Sequence, residues 1–210
     1  MPRITKEDKA RNRDNIVAAA GRMFRSQGID SVGIADLMKA AGLTHGGFYN
    51  HFPSKDALAV EVCNSAFAAS HAAMNQLIEQ GTDESGTPMT KIVQEYLSTG
   101  HRDSPEAGCP SAALVGDAWR QGEEIQSAYA AGVQGYLCGF AAEIRLEAAA
   151  RGEELPETEV RDQAVRLLSE MVGAMVLARA VHQANPTLSD EILESSRRNL
   201  FSDPAAERTG

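Results

Sequence analysis

The stretch AGLTHGGFYNHFPSK, Ala41 to Lys55, places two adjacent glycines, Gly46 and Gly47, in a segment that otherwise reads as helical. Glycine costs about 1 kcal/mol relative to alanine in a helix interior, so the pair needs a reason beyond local propensity. Gly42 closes the helical pattern before it, Thr44 is a residue type that caps a helix start, and Pro53 ends the piece that follows. The segment therefore reads as a short helix, His45 to His51, entered through the tight turn Gly42-Leu43-Thr44. Phe48 and Tyr49 supply the apolar bulk that holds it against its neighbours, leaving His45, Gly46 and Asn50 towards solvent.

Working outward, Ile16, Ala19, Ala20, Met23 and Phe24 recur at helical spacing in a first helix from about Lys6 to Gln27, stopped by Gly28. A second helix, about Ile34 to Ala41, carries Ile34, Leu37, Met38 and Ala41 on one face. With the short helix it has the length of a helix-turn-helix. Ser54 caps a fourth helix that runs to about Gln80, with Asp56 in its first turn, where the helix dipole favours negative charge. The remainder is helix by pattern: Met89 to Thr99, Ser111 to Arg120, Ile125 to Arg151, Thr158 to Ala184, and a last helix capped by Ser189. That last helix has Asp190 and Glu191 in its first turn and Arg197 and Arg198 in its last. GTDESGTP, GHRDSPEAGCP and GEELPE read as loops. The expectation is an all-α chain: a three-helix domain over 1–53, a larger helical domain over 54–203, and a frayed tail over 204–210.

The 210 residues are 43% hydrophobic and 23% charged, enough for one large domain or two small ones. No apolar run approaches the roughly 18 residues of a membrane span, and the N-terminus lacks the apolar core of a signal peptide. Cys63, Cys109 and Cys138 are odd in number and unclustered, the usage of free thiols in a cytoplasmic protein rather than of a disulfide framework. The net charge of −9 is uneven. Residues 1–60 carry nine Lys/Arg against six acids, a net of +3, and the rest carry eleven against twenty-three, a net of −12. Such asymmetry points to a small polyanion-facing module on an acidic body. No phosphate loop, metal-ligand pair or Gly-x-Ser-x-Gly elbow is found, and His71, His101 and His182 fall on separate elements. An enzyme, a cofactor and a metal are therefore not expected.

The basic first helix ending FRSQGI, followed by IADLMKAAGLTHGGFYNHFPSKDAL, resembles the TetR-type bacterial transcriptional regulators over about residues 10–60. Phe48, Tyr49, His51, Phe52 and Lys55 carry the likeness, and Gly108-Cys109-Pro110 is similar to a subset with that loop motif. The resemblance implies an all-helical homodimer whose N-terminal helices bind double-stranded DNA and whose C-terminal helices dimerise and hold an inducer. Two positions depart from the family pattern. Val32-Gly33 stands where a Thr or Ser starts the second helix, with Ser31 as the nearby hydroxyl, and His45 stands where a Lys often follows the turn. The glycines then acquire a reason, since Gly46 and Gly47 let the short helix enter the major groove deeply. Thr44, His45 and Asn50 reach base edges, whereas Tyr49, His51 and Lys55 contact phosphate and position the head. Two heads about 34–36 Å apart would read a palindromic operator.

In the body, Leu168, Met171, Val172 and Met175 together with Ile192, Leu193 and Leu200 are the expected dimer face. Met89, Cys109, Trp119, Tyr129, Tyr136, Phe140 and Met175 are the candidate lining of an inducer pocket. Cys109, before Pro110 at a helix start, is also a candidate thiol switch, because a helix N-terminus favours the thiolate. The partners implied are an operator, a small-molecule inducer or electrophile and a second copy, with no membrane. The competing reading is a helical interaction protein whose DNA head is degenerate.

Overall fold

The structure, a computed structural model, describes residues 5–201; the tail expected over 204–210 lies outside them. The order is α1 (Lys6–Gln27), α2 (Ile34–Ala40), a 3-10 helix (His45–Asn50), α3 (Lys55–Glu79), α4 (Pro88–Tyr96), α5 (Thr99–Asp103), α6 (Pro110–Ala113), α7 (Val115–Ala118), α8 (Glu123–Ala150), α9 (Glu157–Val181) and α10 (Pro186–Phe201). Among the described residues there is no strand, only a single bridge between Asp83 and Gly86. The chain is all-α, as its periodicity requires.

Most caps fall where the residue types place them. Thr5 accepts the Asp8 N–H at 3.1 Å, and Ser54 accepts that of Ala57 at 3.0 Å. Three local expectations are corrected. A helix, α5, forms inside the segment read as a loop, because Ser98 Oγ caps it by accepting the His101 N–H at 3.1 Å. The segment Ser111 to Arg120 is two four-residue helices rather than one. The last helix begins at Pro186, with Asn185 Oδ1 accepting the Leu188 N–H at 3.1 Å, so Ser189 is not its cap and Asp190 and Glu191 lie beyond its first turn. Ser189 is buried instead. Its hydroxyl donates to the Ala178 carbonyl at 2.9 Å and accepts from Arg102 Nη1 at 2.9 Å. Arg102, itself buried, also pairs with Asp103 and Asp190, which satisfies a charge that would be costly alone.

The chain forms two compact units: residues up to Ser70 with Pro105–Gly132, and His71–Ser104 with residues from Val133 onward. In the first unit Leu58, Ala59, Val62, Leu114 and Ile125 share one buried cluster with Ile16, Phe24, Leu37, Met38, Phe48 and Phe52. Apolar burial, worth about 1.5–3 kcal/mol for each large side chain, therefore ties residues from three separated stretches into the core of the head.

Glycines on α8 admit neighbouring rings. A Cβ at Gly132 would lie 2.2 Å from the Phe67 ring in the first unit. In the second unit, Cβ atoms at Gly135 and Gly139 would lie 2.3 Å from His71 and 2.4 Å from Met74. Gly173 on α9, by contrast, faces nothing within 4 Å. Urea denaturation should therefore separate two substitutions of the same kind. Gly132→Ala loses about 1–3 kcal/mol through overpacking, while Gly173→Ala keeps or gains up to about 1 kcal/mol from helix propensity.

Candidate nucleic-acid interface

Two glycines shape the approach to the reading segment. Gly28 ends α1 at φ +85°, its N–H bonded to the Phe24 carbonyl at 2.9 Å. Gly42 turns the chain after α2 at φ +74°. Both angles lie in the left-handed region that L side chains avoid. Leu43 N–H then reaches back to the Met38 carbonyl at 2.8 Å, closing the turn. The segment His45–Asn50 is a 3-10 helix rather than an α-helix. Thr44 is extended as a cap should be, but its hydroxyl caps nothing; the Thr44 carbonyl accepts the Gly47 N–H at 3.0 Å instead. The tighter i→i+3 pattern uses the backbone itself.

Phe48 anchors this segment. It is 0% exposed, with its ring 5.2 Å from Tyr49 edge-on and 5.9 Å from Phe52. Arg13 of α1 clamps the far end. Its guanidinium donates to the His51 carbonyl, pairs with Glu61 of α3 and lies 4.1 Å from the centre of the Phe52 ring. Sequence reading counted Arg13 only as a basic residue. Nothing local marks it, because its partners are 38 and 48 residues away.

The predicted reading residues all belong to the first unit. Ser31, Gly33, Thr44, His45, Gly46, Tyr49 and Asn50 are exposed, and Gly47, His51 and Lys55 are half-buried. Tyr49 is 65% exposed, which is costly for an aromatic ring facing only water. Lys55 Nζ lies 3.5 Å from the Asp30 carbonyl. Burial, reinforced by Lys9 and Arg13, holds the His51 pKa below the usual imidazole value, so this side chain is neutral at neutral pH and brings no charge to a phosphate. A Cβ at Gly46 would meet nothing within 4 Å, and one at Gly47 would find only ordinary contacts, with Met38 at 3.6 Å and Thr44 at 3.8 Å. Neither glycine has a positive φ. The fold of the first unit thus does not require the pair.

The back of the head is held by residues that sequence reading passed over. Asp117 of α7 accepts the Ile29 N–H at 2.9 Å, Gln121 donates to Asp30 at 3.0 Å, and Arg25 Nε donates to the Glu106 carbonyl at 2.8 Å.

The other candidates separate. Cys109, Trp119 and Tyr129 belong to the first unit, and Met89, Tyr136, Phe140 and Met175 to the second. Trp119 is 68% exposed, with the Arg120 guanidinium 4.6 Å from its ring centre. Cys109 is buried, with Sγ 2.9 Å from Ser111 Oγ, at the start of a helix of only four residues. Leu168, Met171, Met175 and Leu193 are buried within their own chain, so they are core rather than dimer surface; Val172, Ile192 and Leu200 are half-buried. The described residues contain no group of three or more His, Cys, Asp or Glu able to hold a metal, and no described helix is long and apolar enough to cross a membrane.

Residues 16–62 match the model for the bacterial regulatory proteins of the tetR family. The HTH-type transcriptional repressor NemR of Escherichia coli (strain K12) is 23% identical over 134 residues, 64% of this chain and 67% of that protein. The HTH-type transcriptional regulator AcrR of Shigella flexneri is 39% identical over 62 residues, 30% of this chain and 29% of that one. Among solved structures, reduced E. coli NemR superposes with a TM-score of 0.73 at 22% identity, covering 90% of this chain and 95% of that one. A TetR transcriptional regulator from Chloroflexus aurantiacus superposes with a TM-score of 0.75 at 22% identity, covering 92% and 94%. The chain thus carries an N-terminal helix-turn-helix domain of the tetR family on the fold of tetR-type regulators, and these named relatives are regulators of transcription rather than enzymes.

The Arg13 clamp has a measurable consequence. Arg13→Ala should lower the unfolding free energy by about 1–2 kcal/mol, the half-exposed ion pair counting for less than the carbonyl bond and the ring contact. Arg13→Lys should recover less than half of that in the same thermal melts, because an ammonium cannot reproduce the planar fork.

Proposed function

We propose that the protein is a cytoplasmic transcription regulator, acting as a repressor: a homodimer that grips a palindromic operator and lets go when a small molecule binds its body. The observation that carries this reading is the glycine pair. Gly46 and Gly47 stand at the centre of an exposed polar surface and serve no need inside the protein. Close approach of a partner's surface supplies the missing reason. Thr44, His45 and Asn50 are placed to read base edges, with Tyr49 and Lys55 on the phosphates. His51 acts through its backbone carbonyl, by receiving Arg13, more than through its neutral ring.

Dimerisation through α9 and α10 fits a revised set of residues. Val165, Val172 and Val176 lie on one face of α9, with Leu177 about a third of a turn round the helix from them and Leu188 on α10. Val165, Leu177 and Leu188 are exposed, Leu177 by 58%. Asn199 donates to both Glu170 carboxylate oxygens, at 2.8 and 3.0 Å, fixing α10 along α9. The buried thiol of Cys109 favours a bound ligand over thiol chemistry as the signal.

The decisive experiment is a titration of the purified protein against the DNA flanking its own gene, and against a random DNA library, over a range of salt. Specific binding that weakens steeply with salt is expected, because phosphate contacts release counterions. Gly46→Ala should leave the melting temperature unchanged or slightly raised while weakening operator affinity at least about tenfold, a loss of roughly 1.4 kcal/mol. Failure of the wild-type protein to select any sequence would favour the interaction-protein reading. Leu177→Glu should convert the dimer into a folded monomer in sedimentation velocity and abolish tight operator binding with it; an unchanged dimer would place the interface elsewhere.

A further inference from the structure

Ala112, Ala113, Leu114 and Ala118 favour helix, and no proline interrupts the stretch from Ser111 to Arg120. The structure nevertheless breaks it at a single residue. Leu114 ends α6 and begins α7, with φ −104° and ψ 0°. The backbone ladder runs up to it, from the Leu114 N–H to the Pro110 carbonyl at 2.9 Å. It resumes beyond, from the Ala118 N–H to the Leu114 carbonyl at 2.9 Å. In between, among the described residues, neither the Val115 nor the Gly116 N–H reaches the carbonyl four residues back. The Ser111 carbonyl, which Val115 would use in a continuous helix, takes the Tyr129 hydroxyl of α8 at 2.6 Å instead.

The Tyr129 ring is held in place. It meets Phe67 of α3 edge-on at 5.5 Å, and Phe67 in turn packs onto the backbone at Gly132. Burial, with Cys109 and Cys63 nearby, raises the phenol pKa above its ordinary value, so the hydroxyl stays protonated and donates. The break and the residues after it serve the head. Leu114 itself is buried in the head's core cluster. Further along, Asp117 accepts the Ile29 N–H at 2.9 Å and Gln121 donates to Asp30 at 3.0 Å, both at the turn between α1 and α2. All of these residues belong to the first unit.

We propose that Tyr129 is a positioning residue: by occupying the Ser111 carbonyl it keeps the segment 110–120 broken at Leu114, and the break aims Asp117 and Gln121 at the α1–α2 turn. The competing arrangement is a helix continued through Leu114. There the Val115 N–H takes the Ser111 carbonyl, and residues 115–121 follow the axis of α6, away from Ile29 and Asp30. That helix regains backbone bonds which the break forfeits, and the tyrosine hydroxyl offsets the difference. The role deepens the regulatory reading above and rests on it only for the effect on DNA; the two arrangements are distinguished without DNA.

Hydrogen exchange of single backbone amides, followed by NMR in the full-length protein, would compare wild type with Tyr129→Phe. Circular dichroism and the melting temperature establish that the variant, which lacks one hydroxyl, is folded. Ile29 exchange should speed about fivefold, the shift expected for one lost hydrogen bond. Val115 and Gly116 exchange should slow, as their N–H groups find helical acceptors. Opposite signs mark a change of arrangement, whereas general loosening of the unit speeds all three. In wild type, with no substitution at all, Val115 and Gly116 should exchange faster than Leu114 and Ala118. Against DNA, Tyr129→Phe should weaken binding about two- to fivefold with an unchanged salt slope, because no phosphate contact is lost. Faster exchange at all three amides, no change at any, or slow Val115 and Gly116 exchange in wild type would each overturn the proposal. A wild-type protein that binds no DNA would sink the regulatory reading alone, since the exchange rates still decide the role of Tyr129. Opposite-signed exchange with operator affinity unchanged would uphold the break and overturn its bearing on DNA.

Discussion

Burial of Phe48 is the contact on which the reading head depends. A six-residue 3-10 helix with two glycines has poor hydrogen-bond geometry and too few turns to persist alone. It is held because Phe48 drops into the cluster formed by Leu37, Met38, Phe24 and Phe52, while Arg13 secures the exit at His51. With its apolar ring buried and its end clamped, the segment can dispense with internal propensity. The neighbouring positions, Thr44, His45, Gly46, Tyr49 and Asn50, are then free to face outward. Stability and exposure are divided between adjacent residues of the same short piece.

The core of the head is not supplied by the helix-turn-helix alone. Leu114 and Ile125 enter it from the later segment, and Asp117 holds the Ile29 amide at the α1–α2 turn. Leu114 joins two four-residue helices, α6 and α7, which have few backbone bonds of their own, and Ile125 stands in the first turn of α8. A ligand that favoured one arrangement of this segment would bias the head through the shared core. It would do so only by as much as its affinities for the two states differ.

Electrostatics divides the labour in a way that the net charge hides. The first 60 residues are positive and the remainder strongly negative. Even so, part of the positive charge in the head is used internally: Arg13 by Glu61 and the His51 carbonyl, and Arg25 by the Glu106 carbonyl. His51 is kept neutral.

The sequence by itself determined the long helices, the glycine stops at Gly28 and Gly42, the Ser54 cap and the helix-turn-helix, because periodicity and turn chemistry are written in residues a few places apart. It also turned His45, Gly46 and Asn50 outward, but it gave Tyr49 the packing role of Phe48, and Tyr49 is 65% exposed while Phe48 is buried. What covers each apolar face was decided only by the tertiary structure. Leu168, Met171, Met175 and Leu193 have the pattern of a dimer surface but pack inside their own chain, and Val165 and Leu177 are exposed instead. Ser189 has the residue type of a cap but serves Arg102, 87 residues away. Arg13 and Asp117 acquire their meaning from partners that local spacing does not encode. A period of 3.6 residues fixes which residues share a face; only the folded chain fixes what that face meets.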